Sequence, residues 1–244
     1  MPDIFKRSEI KYLLTASQRA AVEAAMKDHM IPDEHGESTI RNIYFDTPSW
    51  QLIRNSIEKP VYKEKLRMRS YKRTSEGDKV FLELKKKFDG IVYKRRIEVR
   101  EKDFVDYLDG KREFPGKGQI ASEIDYFCRF YGKLLPAVYL CYDRCAFFDK
   151  DDHDLRITFD RNIRWRTSDV SLTEAAGGTD ILEDGMSLME IKAADAMPLW
   201  LVKVLNDNNI RKISFSKYGT AYNKMLGNGH ISVMNFLMRS KGAA

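Results

Sequence analysis

The stretch 61-VYKEKLRMRSY-71, followed by 79-KVFLELKKK-87 and 91-IVYKRRIEVR-100, decides the fold. Side chains on an extended strand point alternately to its two faces, so every second residue shares a face. Lys63, Lys65, Arg67 and Arg69 therefore lie together in the first run. The second run presents Glu83, Lys85 and Lys87 against Leu82 and Leu84, and the third presents Lys94, Arg96 and Glu98 against Tyr93, Ile97 and Val99. Ser75-Glu76-Gly77-Asp78 and Phe88-Asp89-Gly90 separate the runs and are rich in turn formers, which makes the three an antiparallel meander with one ionic and one apolar side.

Outward from the meander the same division recurs. In residues 154–160, Arg156, Thr158 and Asp160 oppose Leu155, Ile157 and Phe159; in 186–193, Glu190 and Lys192 oppose Met189 and Ile191; in 9–14, Glu9 and Lys11 oppose Ile10, Tyr12 and Leu14. Further strands are predicted at 39–45, 137–148 and 163–166 from their β-branched and aromatic content. Thr15 and Gln18 form a capping box ahead of an Ala-rich helix reaching about residue 30. Asp46-Thr47-Pro48 turns the chain into a short helix at 50–55. Helices follow at 102–109 and 120–131, divided by Pro115-Gly116-Lys117-Gly118, then at 198–205 with Pro198 in the first turn and at 216–226. Residues 1–228 read as one domain and 229–244 as a C-terminal tail.

Composition limits the partners. The 244 residues are 43% hydrophobic, 32% charged and 11% aromatic, which suits a globular α+β domain. The 42 basic and 36 acidic residues leave a charge of +6, favouring an anionic ligand. Cys128, Cys141 and Cys145 form no CxxC pair, so reduced, mostly buried thiols are expected in a cytoplasmic setting. No apolar run approaches the roughly 18 residues of a membrane span, and any link to a membrane is expected to pass through a partner protein.

A solvated face would account for any one of the ionic rows. Across strands distant in sequence, however, the rows prefer Lys and Arg to small polar residues. If the sheet closes with its apolar side outward beneath helices, the ionic side lines a cavity, and that much positive charge calls for a polyanion. Arg offers a planar fork to two phosphate oxygens and Lys a compact point charge. The scarce carboxylates Glu83, Glu98 and Glu190 are the candidates for holding Mg²⁺ or Mn²⁺, hard cations that bridge phosphate oxygens.

These rows fall within ordered motifs: Glu9-Ile-Lys11-Tyr12, Ile43-Tyr-Phe-Asp46-Thr47, Lys65-Leu-Arg67-Met-Arg69-Ser-Tyr71, Phe81-Leu-Glu83-Leu-Lys85-Lys, Lys94-Arg-Arg96, Tyr142-Asp-Arg144, Leu155-Arg156-Ile-Thr158-Phe-Asp160, Met189-Glu190-Ile-Lys192 and Ser214-Phe-Ser-Lys217-Tyr218. In this order, across about residues 5–226, they resemble the VTC domain, the polyphosphate polymerase domain of the triphosphate tunnel metalloenzymes, a group that includes the CYTH phosphatases and cyclases. The resemblance implies a closed antiparallel β-barrel tunnel, open at both ends, with helices packed outside. It assigns phosphate handling in catalysis to Lys11, Arg67, Arg69, Lys85, Lys94, Arg144, Arg156 and Lys217, and the leading metal site to Glu190. Glu9, Lys65, Lys87, Arg96, Tyr142, Lys192 and Ser216 are the expected substrate-binding residues. The implied reaction moves the γ-phosphoryl group of ATP onto a growing inorganic polyphosphate chain.

The alternatives within the same fold are a tripolyphosphatase or related triphosphate hydrolase, and a polyphosphate-binding module without catalysis. Hydrolytic tunnel enzymes typically open with Glu-x-Glu-x-Lys, whereas this chain has Arg7-Ser-Glu9-Ile-Lys11, and the missing carboxylate favours the polymerase. Other signals are weak. His29, His35, His153 and His230 are scattered without partners in sequence, and Lys85-Lys86-Lys87 is split between two strand faces, which argues against a nucleic-acid patch. Ser214 and Ser216 have no nucleophile-elbow context, and Gly177-Gly178 lacks P-loop spacing.

Overall fold

The computed structural model describes residues 8–89, 91–152, 154–194 and 196–227. Arg7, His153, His230 and the tail 229–244 lie outside them. In chain order the elements are β1 (Ser8–Leu14), α1 (Ala16–Met26), β2 (Met30–Pro32), β3 (Ser38–Asp46), α2 (Gln51–Ile57), β4 (Tyr62–Ser70), β5 (Lys79–Phe88) and β6 (Ile91–Arg100). There follow α3 (Glu101–Leu108), α4 (Gln119–Tyr131), β7 (Leu135–Asp149), β8 (Arg156–Arg166), β9 (Thr179–Asp180), β10 (Ser187–Ala193), α5 (Leu199–Asp207), β11 (Lys212–Ile213) and α6 (Lys217–Met225).

The strands form one antiparallel sheet in the order β11-β1-β10-β8-β7-β3-β4-β5-β6, with β2 and β9 attached to β7 and β8. Two runs expected as separate strands, 154–160 and 163–166, are a single β8, which passes Asn162 in a left-handed conformation with φ 49°. The pairing shifts register at Tyr44/Phe45 and at Cys141/Asp143. Irregularities of this kind bend a strand and tighten its twist. Gly178 packs against β8 so closely that a Cβ there would stand 2.3 Å from the Trp165 carbonyl oxygen, at a φ of 131° that also favours glycine.

The apolar faces are covered by helices. Tyr12, Leu14, Ile157, Phe159 and Ile191 pack with Val22 and Met26 of α1 and Leu201 and Leu205 of α5. Leu66, Met68, Leu82, Leu84 and Val99 pack with Phe104 of α3 and Ile124 and Phe127 of α4. Cys128 and Cys141 are buried thiols and Cys145 is half-buried, all three free. No helix among the described residues is long and apolar enough to cross a membrane.

Two features differ from the expected closed barrel with helices outside. The hydrogen-bonded ladder is open, since β11 and β6 stand at opposite ends of the strand order. Nor are all the helices external. α6 packs on the inner side of the sheet, its Tyr218, Ala221 and Tyr222 filling a core with Ile40, Tyr44, Leu140 and Tyr142. The wall is thus completed by side chains: Lys65 Nζ on β4 donates to Ser216 Oγ, the N-cap of α6, at 3.1 Å. A buried aspartate anchors this helix from the far side. Asp46 accepts hydrogen bonds from the backbone N–H groups of Thr47, Leu52 and Ile53 and from the Tyr218 hydroxyl.

Candidate active site

The inner face encloses a cavity of about 810 Å³. The meander limb delivers Lys63, Lys65, Arg67 and Arg69 from β4, Glu83, Lys85 and Lys87 from β5, and Lys94 from β6. They share a face because Lys65 pairs opposite Lys85, and Lys85 opposite Lys94. The other limb brings Glu9 and Lys11 on β1, Glu190 and Lys192 on β10, and Tyr142 and Arg144 on β7. Ser216 and Lys217 reach in from α6. Here too the register does the aligning, with Lys11 opposite Glu190 and Glu9 opposite Lys192.

Two ionic clusters flank the cavity. In the first, Glu190 lies 3.0 Å from Lys217, 3.5 Å from Arg144 and 3.7 Å from Lys11. Arg144 also grips the fully buried Asp160 through two bonds of 2.6 and 2.7 Å, and Lys217 stands 2.6 Å from the same carboxylate. Burial would push the Glu190 carboxyl up, but Lys217, Lys11 and Arg144 outweigh it and hold the group well below the usual carboxylate range. Burial likewise works against the charge of Lys217, and Asp160 and Glu190 overcome it, keeping the ammonium protonated above its ordinary range.

The second cluster centres on Glu83, which is almost wholly buried. It accepts from Arg67 at 2.7 Å, stands 2.7 Å from Lys94 and is contacted twice by Arg96. Burial raises this carboxyl too, yet Arg67, Arg69 and Lys94 hold it far below the usual range. The folded group therefore titrates lower than the unfolded one, and its stabilising contribution is complete above about pH 4.3 and lost as pH falls towards the depressed value. Thermal melts should fall steeply below about pH 4. Glu83→Gln should be less stable at neutral pH and show a shallower acid limb, and an identical acid limb in both proteins would sink the assignment.

Between the clusters runs a row of lysines with neutral partners. Lys63 Nζ donates to the Ser56 carbonyl at 3.2 Å and Lys65 to Ser216. Burial first, then Lys63, Lys85 and Lys11, pushes the Lys65 ammonium down to about 7. Lys85 and Lys192 are lowered chiefly by burial as well.

Three of the expected residues do not line this cavity. Arg156 shares the row of Lys192 but turns to Asp33 at 3.3 Å and over the Phe148 ring at 4.7 Å. Arg96 is drawn to Glu83, to the Tyr71 hydroxyl at 3.3 Å and over the Phe81 ring at 4.4 Å. Glu98 lies beyond the cavity end, 55% exposed and 3.8 Å from Lys79. The three carboxylates expected to hold metal thus stand apart. Among the described residues no three His, Cys, Asp or Glu side chains gather as a metal-binding group.

The remaining donor set still suits an ion that arrives on phosphate. Glu190 borders the cavity, Lys11 links it to Glu9 (3.2 Å), and Thr158, opposite Glu190 in the ladder, has a buried hydroxyl without a hydrogen-bond partner. Mg²⁺-like ions commonly take only one or two carboxylates and complete their shell with phosphate oxygens and water.

Three residues are added by the structure. Asp160 lay in the ionic row of β8, so alternation alone pointed to it. Tyr44 accepts from Arg67 at 3.3 Å and stacks on Tyr218 at 4.4 Å, and Asn42 accepts from Arg69 at 2.9 Å. Both sit in an apolar-looking strand whose inner face could not be told from sequence.

A curled antiparallel sheet with helices over its apolar side and a basic interior defines a protein of the triphosphate tunnel class. A structure from Bacillus halodurans, provisionally named an adenylate cyclase, shares the fold at 13% identity, covering 85% of this chain and 92% of that one with a TM-score of 0.52. A Hippeastrum protein, provisionally named an adenylyl cyclase and described as having a dominant triphosphatase activity, aligns at 16% identity over 86% of this chain and 92% of its own, with a TM-score of 0.47. A provisionally named adenylate cyclase of Vibrio parahaemolyticus aligns at 11% identity over 88% and 97%, with a TM-score of 0.46. No curated protein matches by sequence. The family model of the VTC domain matches residues 6–226, and the chain belongs to that family.

Proposed function

We propose that this chain is a metal-dependent polyphosphate polymerase, transferring the γ-phosphoryl group of ATP to the end of an inorganic polyphosphate chain inside the basic cavity. The observation that carries the reading is the convergence of Lys11, Arg67, Arg69, Lys85, Lys94, Arg144 and Lys217 from five strands and a helix on one cavity, with Glu190 of a sixth strand at its border. In the reaction a terminal phosphate oxygen of the chain attacks the γ-phosphorus of ATP. The bond from that phosphorus to the β–γ bridging oxygen breaks, its electron pair leaves on ADP, and the chain grows by one phosphate.

Phosphoryl transfer asks a protein mainly for in-line positioning and for stabilisation of charge on the phosphate oxygens. Lys11, Arg144 and Lys217 are held in place by Glu190 and Asp160, and Arg67 and Lys94 by Glu83, so these cations are oriented before a substrate enters. The row Lys63, Lys65, Lys85 and Lys87 offers further point charges to a phosphate chain. Arg156 and Arg96 would assist from outside the cavity wall. A divalent ion, Mn²⁺ or Mg²⁺, bound with Glu190 would neutralise charge on the transferred group.

Purified protein given ATP and Mn²⁺ should yield ADP and a ladder of chains on a gel. Orthophosphate without a ladder would replace this reading with the hydrolase, and chain binding without ATP consumption would replace it with the binding module.

The depressed Lys65 makes a second, independent expectation. An ammonium that is largely neutral at pH 8 regains its proton when a polyanion lies beside it. Tripolyphosphate binding at pH 8, followed by calorimetry in two buffers of different ionisation enthalpy, should therefore show net proton uptake. Lys65→Arg, permanently charged, should reduce it; uptake unchanged by this substitution would clear Lys65 of the role.

A further inference from the structure

Arg156 starts in the inward row of β8, and its guanidinium ends away from the cavity at Asp33. Lys192, directly opposite it in the ladder, lines the cavity. The Cβ atoms of such a pair stand about 5 Å apart, less than the reach of an arginine side chain. Glu9 lies beyond Lys192 on β1 and Phe148 faces Arg156 on β7, so the four make one row across the sheet. The charge of Arg156 is already felt there. Burial lowers the Lys192 ammonium, Glu9 and Glu190 oppose this, and Arg144 and Arg156 add to it.

The hold on Arg156 is looser than that on the cavity arginines. Arg144 grips Asp160 through bonds of 2.6 and 2.7 Å and Arg67 meets Glu83 at 2.7 Å, whereas Arg156, 39% exposed, has one bond to Asp33 at 3.3 Å. Its Nε is buried without a hydrogen-bond partner among the described residues, so the guanidinium is incompletely used where it stands. Asp33 itself is fixed. Its backbone N–H donates to the Ala146 carbonyl at 2.8 Å, its carbonyl accepts from the Gly36 N–H at 3.0 Å, and its Oδ1 accepts from the His35 N–H at 3.0 Å, which leaves Oδ2 for Arg156. A phosphate chain beside Lys192 offers the same guanidinium several oxygens, and its planar fork takes two at once. Asp33 and the chain then compete for one side chain, and a binding group that is competent only part of the time lowers the apparent affinity by that fraction. We propose that Asp33 is a positioning residue that parks Arg156 outside the cavity and so weakens the grip on a polyphosphate chain, which Arg156 tightens by turning inward beside Lys192. The inference rests on the cavity being a polyphosphate site, as proposed above. A grip weakened at one end suits a chain that advances by one phosphate in each turnover.

The test is calorimetric titration of the full chain with long-chain inorganic polyphosphate. Asp33→Asn keeps an oxygen for the His35 N–H and removes the charge, and it should bind about two- to fivefold tighter, the range set by a partly exposed ion pair. Arg156→Ala should bind more weakly, and adding Asp33→Asn to it should change nothing further. A gain that persists in the Arg156→Ala background would make Asp33 a repelling charge only and overturn the inference. So would unchanged or weaker binding by Asp33→Asn with a parental circular dichroism spectrum; should that variant misfold, Asp33→Ser, which also offers an oxygen to the His35 N–H, makes the same comparison. In the parent, the Arg156 Nε–H resonance, assigned by its absence from Arg156→Ala, should shift when the chain is added, and a resonance that stays in place would also sink the inference. Absence of any polyphosphate binding by the parent would remove the cavity reading and this inference together, whereas binding accompanied by one of the other failures removes the role of Asp33 alone.

Discussion

Glu190→Gln is expected to reduce ATP turnover by about a hundredfold or more while leaving tripolyphosphate binding within a few-fold of the parent. The substitution keeps the shape of the side chain and removes its charge. Lys217 and Arg144 retain Asp160 as a partner at 2.6 Å each, so the cations stay near their positions and continue to attract phosphate. What is lost is the carboxylate that borders the cavity and faces Lys11, Lys217 and Arg144 together. Parallel assays of ADP release and of tripolyphosphate affinity separate the two effects. Turnover near the parental rate would take Glu190 out of the mechanism, whereas equal losses in binding and turnover would make it a structural counter-ion only.

Asp46→Ala should destabilise the fold by about 3–5 kcal/mol, because several buried donors lose their acceptor together at about 1–3 kcal/mol each, with partial relaxation. Its carboxylate is fully buried and takes the N–H groups of Leu52 and Ile53 at 2.8 and 3.0 Å, the first turn of α2. Trp50, at the N-cap of that helix, makes no side-chain cap of its own. The same carboxylate takes the Tyr218 hydroxyl at 2.8 Å, and Tyr218 lies directly after Lys217. Urea unfolding should show a lower midpoint with little change in slope, and Tyr218→Phe, which strands one lone pair but no N–H, should lose less. A loss under about 1 kcal/mol in Asp46→Ala would mean that α2 and α6 are held without this anchor.

Both substitutions bear on residues that ordered motifs had already marked, and the degree to which the fold was legible follows from period and range. Alternation in β4, β5, β6, β8 and β10 needs only the geometry of a single strand, so the ionic rows and the helix-covered faces could be read directly. The capping box at Thr15 and Gln18 is equally local, and it forms as expected. Short pieces such as β2, β9 and β11 had no signal of their own, because two or three residues pair only where a neighbouring strand already waits for them.

Sequence by itself determined which side chains share a face, since that depends on a two-residue period, and it determined the family through motifs in order. Tertiary structure alone decided how far the sheet bends, that its ladder stays open, and that α6 enters the interior to complete the wall through Ser216 and Lys217. It also decided which charges pair: Arg156 leaves its row for Asp33, and Glu98 falls beyond the cavity. The reason is that curvature and ion pairing are set by contacts between different elements, as far apart in the chain as Arg156 from Asp33 and Lys65 from Ser216, which no local pattern encodes.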